Sequence, residues 1–404
     1  LSTILCIATL DTKGPEAQYI RELIEKRGHT ALLMDVSCLE GAPFTPDITA
    51  GEVAQAAGST IQAVSRLEEA GPAAEVMTAG AIKIARDLYH SGKFDGAIAI
   101  GGGMGISIAS AVMRELPVGV PKFILSSQKI VQAGIKGYVG TKDIAMMPSL
   151  ADIAGLNRLT RKALSNAAGA IVGMIESPEV EVSPKPLVFM TMLGPTTAGG
   201  LRVKSSLEDK GFEVIIFHTI GIGGVTCEDL ITSYPVRGVI ELGLNEIGNE
   251  LFGGVATAGP NRLEAAAKKG IPQIITLGNV EFINFLSPET VPPKYKGRNL
   301  LFHNPQATIM RLNADEMGAV AEVMAEKLNR ARGATRVLIP LGGFSDWSQK
   351  GRSFYDPAAD RVFIDTLKSR LNQQIPVQEI DANINDDRFA QAAVAELISL
   401  LEPA

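Results

Sequence analysis

The stretch Phe94–Val112, FDGAIAIGGGMGISIASAV, decides the fold. Ala97–Ile100 is a short, wholly apolar run of the length of a buried strand. Gly101, Gly102, Gly103 and Gly105 follow at once, and Ile106, Ile108, Ala109, Val112 and Met113 then recur as an apolar helix face. Strand, glycine bend and helix in that order aim backbone amides and a helix N-terminus at an anion. Glycine carries no Cβ, so a phosphate can approach the main chain closely. The spacing matches neither GxGxxG nor GxxxxGK[ST], and the same string also suits a tight turn packed against its own sheet.

Working outward, the flanking segments repeat this alternation. Thr3–Thr9 reads as a strand, Leu10–Pro15 as a loop, Glu16–Arg27 as a helix closed by Gly28, and Thr30–Val36 as a second strand. A polar excursion over Pro43–Ile61 carries short helical pieces, Ala73–His90 is helical, and Pro121–Ser127 is another strand. Lys136–Leu156 reads as irregular, and Asn157–Glu176 as a long helix. The order β-α-β-α-β-α-β argues for a parallel sheet covered on both faces. Ser177–Pro186 (SPEVEVSPKP) is charged and proline-rich and reads as a linker. The expected domains are 1–180 and 186–404.

Beyond the linker the pattern returns. Gly28 and Gly211 lie 183 residues apart, and the same offset sets Lys13 on Thr196 and Met34 on Phe217. Gly238–Gly243 echoes Gly96–Gly101, and Gly270-Ile-Pro echoes Gly119-Val-Pro. The expected fold class is therefore α/β, with two Rossmann-like, doubly wound domains, mainly parallel sheets and a cleft between them. Val337–Leu341 and Val377–Ile380 read as further strands, and Asp360–Leu371 as a helix. The last helix, Arg388–Leu401, suits its own domain or a return to the first.

Composition narrows the function. At 404 residues the chain is long for one core, and its 46% hydrophobic share suits a folded protein. No apolar run reaches the roughly 18 residues that span a bilayer. No basic segment followed by an apolar one opens the chain, so a cytoplasmic protein is expected. A net charge of −6 leaves no footprint for nucleic acid. Cys6, Cys38 and Cys227 lack CxxC spacing and read as small buried residues. No GxSxG elbow is present, so covalent hydrolase chemistry has no support.

In parallel α/β sheets ligands gather beyond the carboxyl ends of the strands. The loops expected there are Leu10–Gly14, Gly101–Gly105, Ser126–Lys129, Gly194–Thr197, Gly221–Gly224, Gly243–Glu246 and Gly342–Asp346. Lys13 and Lys142 suit phosphate neutralisation, with Asp11 and Asp143 as their alternative ion-pair partners. Asp11, Asp143, Glu246 and Asp346 suit Mg²⁺ or acid–base work, although Asp11 also suits a helix cap. His218 and His303 are better placed for a site than His29 and His90, which lie at helix ends and read as solvent-facing. Their spacing does not indicate zinc.

Several strings together carry a resemblance. They are Thr9-x-Asp11-Thr12-Lys13-Gly14, Gly101-Gly-Gly-Met-Gly105, Gly140-Thr-Lys-Asp143, Met146-Met-Pro-Ser149 and Asp152-Ile-Ala-Gly-Leu-Asn-Arg158. Phe217-His-Thr-Ile-Gly-Ile-Gly-Gly224, Glu250-Leu-Phe-Gly-Gly254, Ala258-Gly-Pro-Asn-Arg262 and His303-Asn-Pro305 join them. Over nearly its whole length the chain resembles the Tm-1-like ATP-binding family, also called UPF0261. The plant member is an antiviral protein whose N-terminal region binds ATP, and it carries a C-terminal barrel domain for which this chain has no room. The resemblance implies two Rossmann-like subdomains, ATP binding and a homodimer. It carries over no reaction and no antiviral action. Where relatives are expected to have a threonine-rich segment ending in glutamate, this chain has Gly243-Leu-Asn-Glu246, keeping the acid without the hydroxyls.

The expected function is ATP binding in the cleft between the domains, by an enzyme whose reaction the sequence does not name, with Mg²⁺ as a possible companion. Asp11, Thr12, Lys13, Gly101, Gly102, Gly103, Gly105, Thr141, Lys142 and Asp143 are the expected contacts from the first domain. Gly194, Thr196, Thr197, Gly221, Gly223 and Gly224 are those from the second. The alternatives are an enzyme of sugar or nucleotide-sugar metabolism using His218, Glu246 and His303, or an assembly protein locked by ATP.

Overall fold

The computed structural model describes residues 1–127, 134–178 and 180–402. The chain divides into two compact units, Leu1–Val180 and Glu181–Ala404. The expected loop at Ser126–Lys129 falls partly outside the described residues, at Gln128 and Lys129.

The first unit is built on five parallel strands: β1 (Thr3–Ala8), β2 (Thr30–Asp35), β3 (Gly96–Gly101), β4 (Lys122–Ser126) and β5 (Ala145–Pro148), in the order β2-β1-β3-β4-β5. Alternation along β1 sorts the core. Ile4, Cys6 and Ala8 face the helices Leu10–Glu25 and Arg158–Ile175, meeting Ile20, Ile24, Leu164 and Ile171. Leu5 and Ile7 face the helices Ala70–His90 and Gly103–Glu115, meeting Met77, Ile108 and Val112. Each such side chain removed from water contributes about 1.5–3 kcal/mol. Every residue of β3 is buried, as a central strand covered on both faces requires.

The segment expected to be irregular, Lys136–Leu156, supplies a short helix and edge strand β5, whose residues are only half-buried. The expected loop at Leu10–Pro15 is instead the first turns of a helix kinked at Lys13. Asp35 Oδ1 accepts from the Leu10 amide at 3.0 Å and Ser37 Oγ from the Asp11 amide at 3.2 Å, so the turn is capped from the end of β2. His29 is not solvent-facing. Its side chain is 9% exposed and its Nε2 meets Glu176 Oε1 at 3.2 Å. His90 is exposed.

The second unit repeats the order with one strand more. Strands β6 (Leu187–Met192), β7 (Glu213–His218), β8 (Val236–Glu241), β9 (Gln273–Ile275), β13 (Thr335–Pro340) and β14 (Val377–Ile380) run parallel as β14-β13-β9-β8-β6-β7. The C-terminal helix Asp387–Leu401 packs within this unit, against the helix Thr197–Asp209 and the strands β8 and β9. Between β9 and β13 lies an antiparallel sheet, β10 (Phe282–Phe285), β12 (Ala307–Arg311) and β11 (Leu300–Asn304) in that order, which no apolar periodicity in the sequence announces.

Arg311 fastens that sheet. Its guanidinium donates to the carbonyls of Phe354, Glu281 and Leu312 at 3.0–3.2 Å and pairs with Asp360 on the helix Pro357–Arg370. Burial pushes the Asp360 carboxyl up to about 7, with Glu281 adding to the rise and Arg311 opposing it. A carboxyl raised on folding contributes stability that is full below about pH 4 and is lost as pH rises through about 7. Asp360→Asn should therefore lose less stability than the parent between pH 5 and pH 8. Urea midpoints at the two pH values check this, and an unchanged difference would contradict it.

Candidate functional site

In the first unit the strand order reverses between β1 and β3. The chain leaves β1 towards β2 on one side and leaves β3 towards β4 on the other, which opens a crevice at their carboxyl ends. A cavity of about 480 Å³ occupies that place, lined by residues of the first unit alone. Asp11, Thr12 and Lys13 from the turn after β1 face Gly102, Gly103, Met104 and Gly105 from the turn after β3. Gly101 is buried one residue earlier, where its carbonyl accepts from the Ser127 amide at 3.0 Å.

The two helix N-termini at this crevice are not alike. That of Leu10–Glu25 is closed by Asp35 and Ser37. That of Gly103–Glu115 has Gly102 as its cap and no side-chain cap. Among the described residues, the amides of Gly103, Met104 and Gly105 meet no acceptor. Aligned peptide dipoles place roughly half a positive charge at such an end. The two outer glycines do different things. A Cβ on Gly105 would stand 3.2 Å from Thr9 Cγ2, so this glycine lets the helix approach the β1 turn. A Cβ on Gly102 would meet nothing within 4 Å and would project into open space.

Charge follows the same logic. Among the described residues the Lys13 ammonium has no hydrogen-bond or ion-pair partner, although it lines the cavity. Asp11 accepts from Ser37 Oγ at 3.0 Å and from Thr12 Oγ1 at 3.3 Å. Burial raises the carboxyl of Asp35 behind it, against the opposing pull of its bonds to Ser37 and Leu10. Leu39, Leu67 and Met104, with exposures of 53%, 43% and 40%, form an apolar rim beside the polar floor. Cys38 also lines the cavity, half-buried rather than fully buried as expected. Burial raises its thiol, and the charges of Asp11 and Asp35 raise it further, which disfavours a nucleophilic thiolate. Burial pushes the Cys6 thiol up to about 12.

Thr141, Lys142 and Asp143 are not part of this site. They precede β5 and so lie at the amino end of the sheet, opposite the crevice. Asp143 pairs with the buried Lys122 ammonium at 2.8 Å and accepts from the Gly119 amide at 2.8 Å. Its role is to neutralise a lysine that also donates to the carbonyls of Pro117 and Val120.

In the second unit the glycine turn after β7 is filled from within the protein. Glu246 is fully buried, accepts from the amides of Gly221 and Gly224 at 2.8 and 3.1 Å, and receives Arg262 Nε at 2.7 Å. The helix N-terminus at Gly221–Gly224 thus already holds an anion, the protein's own carboxylate. A Cβ on Gly224 would stand 2.0 Å from Glu246 Oε2, and one on Gly223 would stand 1.8 Å from the His218 carbonyl. These glycines admit internal groups, and the Glu246 carboxylate is engaged by donors of the protein itself. Thr196 is likewise buried, with its hydroxyl on the Leu193 carbonyl and the Asn279 amide. Gly194, Thr197, His218 and His303 instead meet on a separate cavity of about 930 Å³.

Family models cover both units. "Uncharacterised protein family (UPF0261) N-terminal domain" matches residues 2–180, and the C-terminal domain model of the same family matches 185–401. The chain belongs to the UPF0261 family. The UPF0261 protein of Clostridium tetani is 41% identical over 99% of both chains. That of Rhizobium meliloti is 35% identical over the full length of both. The ToMV resistance protein Tm-1(GCR237) of Solanum lycopersicum is 34% identical over 76% of this chain and 41% of its own. Among solved structures, UDP-GlcNAc 2-epimerase from Neisseria meningitidis bound to UDP-GlcNAc aligns over 91% of this chain and 100% of that one. Its identity is 9% and its TM-score 0.24, and overlap at that score carries no argument about ligand or reaction.

In this UPF0261 chain the sequence singled out the glycine bend and the Lys13 turn. It missed Cys38, Leu39 and the Val64–Ala73 segment, which complete the cavity wall. The apolar character of Leu39 and Leu67 beside polar neighbours was the available signal. Among the described residues no helix is long and apolar enough to cross a membrane, and no group of three His, Cys, Asp or Glu side chains could hold a metal ion.

Proposed function

We propose that the first unit binds ATP at the crevice between β1 and β3. The observation that carries this is the open N-terminus of Gly103–Glu115 facing Lys13, unpaired among the described residues, across one cavity. The amides of Gly103–Gly105 hold phosphate oxygens, and Lys13 supplies the full positive charge that amides lack. The adenine ring lies against the apolar rim at Leu39, Leu67 and Met104. The residues present suit Mg²⁺ held chiefly by phosphate and water, because Asp11 and the Thr12 hydroxyl supply too few ligands for a protein-built cage. When bound, the ion would offset the phosphate charge.

Calorimetric titration of the intact protein with Mg-ATP tests the reading. One saturable site is expected, with adenosine binding far more weakly because it lacks the charged part. The absence of heat at millimolar Mg-ATP would remove the proposal. Lys13→Met should weaken ATP at least tenfold, the scale of one charge-assisted contact of about 1.5–3 kcal/mol. It should also flatten the dependence of affinity on salt. Equal affinity in parent and variant would show that Lys13 does not touch the phosphates.

A further inference from the structure

The cavity of the second unit is distinct from the nucleotide site and is built from other residues. Its walls are tied together: the Asp346 amide and the Asn385 side-chain amide both donate to the Pro195 carbonyl at 2.9 Å, and Asn385 Oδ1 accepts from the Gly199 amide at 2.9 Å. Three loops distant in sequence are thereby fixed, as a pre-formed site needs.

The orientation of Asn284 follows from its neighbours. Asn249 Oδ1 accepts from the backbone amides of Ala256 and Asn284, so the Asn249 amino group must face the Asn284 side chain. Asn245 donates to the Thr219 carbonyl and also to Asn284. Both buried asparagines therefore present N–H to Asn284 Oδ1, each at 3.2 Å. The Asn284 amino group, with no partner among the described residues, is left as a fixed donor on the cavity wall. His218 and His303 also line this cavity, and Asp346 supplies an acceptor. Trp347, whose ring lies 5.7 Å from that of His303, adds an apolar face.

This set selects a ligand class. An apolar ligand would leave the Asn284 amino group without a partner and would strip water from the Asp346 carboxylate, which Gln349 at 3.2 Å and Arg352 at 3.7 Å satisfy only in part, at a cost of about 1–3 kcal/mol for each desolvated group. A phosphate would find no lysine or arginine among the lining residues. We infer that the second unit binds a small hydroxy acid, its carboxylate at Asn284 and the imidazoles, its hydroxyls at Asp346, and its carbon face on Trp347. The inference goes beyond nucleotide binding and does not depend on it.

The chain has one tryptophan, so its emission reports this cavity. The probes are D-gluconate, L-lactate, D-glucose (hydroxyls without a carboxylate) and hexanoate (a carboxylate without hydroxyls). A saturable change in Trp347 emission is expected with gluconate or lactate at millimolar concentration, with glucose and hexanoate at least tenfold weaker. Asn284→Asp is nearly isosteric and replaces the donor by a like charge, so it should weaken the effective acid at least tenfold. Ala307→Phe, which fills the cavity from an exposed hairpin, should do the same should the first variant fold poorly. No response to either hydroxy acid at 50 mM, an equal response to glucose or hexanoate, or an undiminished response in a folded variant would overturn the inference. Saturating the effective acid and repeating the ATP titration keeps the two sites separate, since loss of ATP binding alone leaves this result intact.

Discussion

Replacing Arg262 by methionine is expected to cost the second unit about 3–5 kcal/mol of stability, the scale for removing one member of a buried ionic network. Arg262 is 1% exposed and is the only cation within reach of Glu228, Glu241 and Glu246 among the described residues. It grips Glu241 with two nitrogens, at 2.9 and 2.5 Å, while Glu228 also accepts the amides that start the helix Ala265–Lys269. Methionine matches the stem and leaves three buried carboxylates facing one another. Burial already raises Glu228 and Glu246 in the parent against the pull of Arg262. Without the guanidinium their folded pKa rises further. Such groups contribute stability that is present below the unfolded pKa and lost as pH rises through the folded one. The deficit of Arg262→Met should thus be largest at pH 8 and shrink towards pH 5. Trp347 emission during urea unfolding follows this unit. A loss under 1 kcal/mol, or one independent of pH, would contradict the account of the network.

Gly102→Val is expected to weaken ATP at least thirtyfold while leaving the fold nearly intact. The backbone at Gly102 has φ −92° and ψ −164°, which valine adopts readily, and its Cβ has no neighbour within 4 Å. The stability cost is limited to a poorer helix cap, about 1 kcal/mol. The added methyl groups stand where phosphate oxygens must come close to the amides. Gly105→Val has the opposite profile, because its Cβ meets Thr9 at 3.2 Å and the helix must shift. Affinity by calorimetry and melting temperature together separate the two. Equal ATP affinity in Gly102→Val and parent would place the phosphates elsewhere.

Much of the fold was legible because its signals are local. Buried parallel strands such as Ala97–Ile100 are continuous apolar runs, and the offset between Gly28 and Gly211 announced a second α/β unit, whose strand order only the structure gives. β5 escaped because an edge strand is half-buried and carries little apolar periodicity. The β10–β12 sheet escaped because Phe282–Phe285 and Ala307–Arg311 are short, and their register depends on the distant anchors of Arg311.

The site was legible only in part, for a related reason. A glycine beside a strand announces a close approach but not what approaches. At Gly102 the space is open, whereas at Gly224 the Glu246 carboxylate fills it. Asp143 was expected as a ligand contact, and the structure pairs it with Lys122, a lysine whose full burial no local pattern announces. The orientation of Asn284 follows from two other asparagines and could not be read from spacing.

The central claim is that free main-chain amides at one glycine bend hold the phosphates. Hydrogen–deuterium exchange with and without saturating Mg-ATP tests it most directly. The account predicts slowed exchange at Gly103–Ile106 and in the Asp11–Lys13 turn, with no change at Gly221–Gly224, where the Gly221 and Gly224 amides already donate to Glu246. Protection at Gly221–Gly224 with none at Gly103–Ile106 would contradict it.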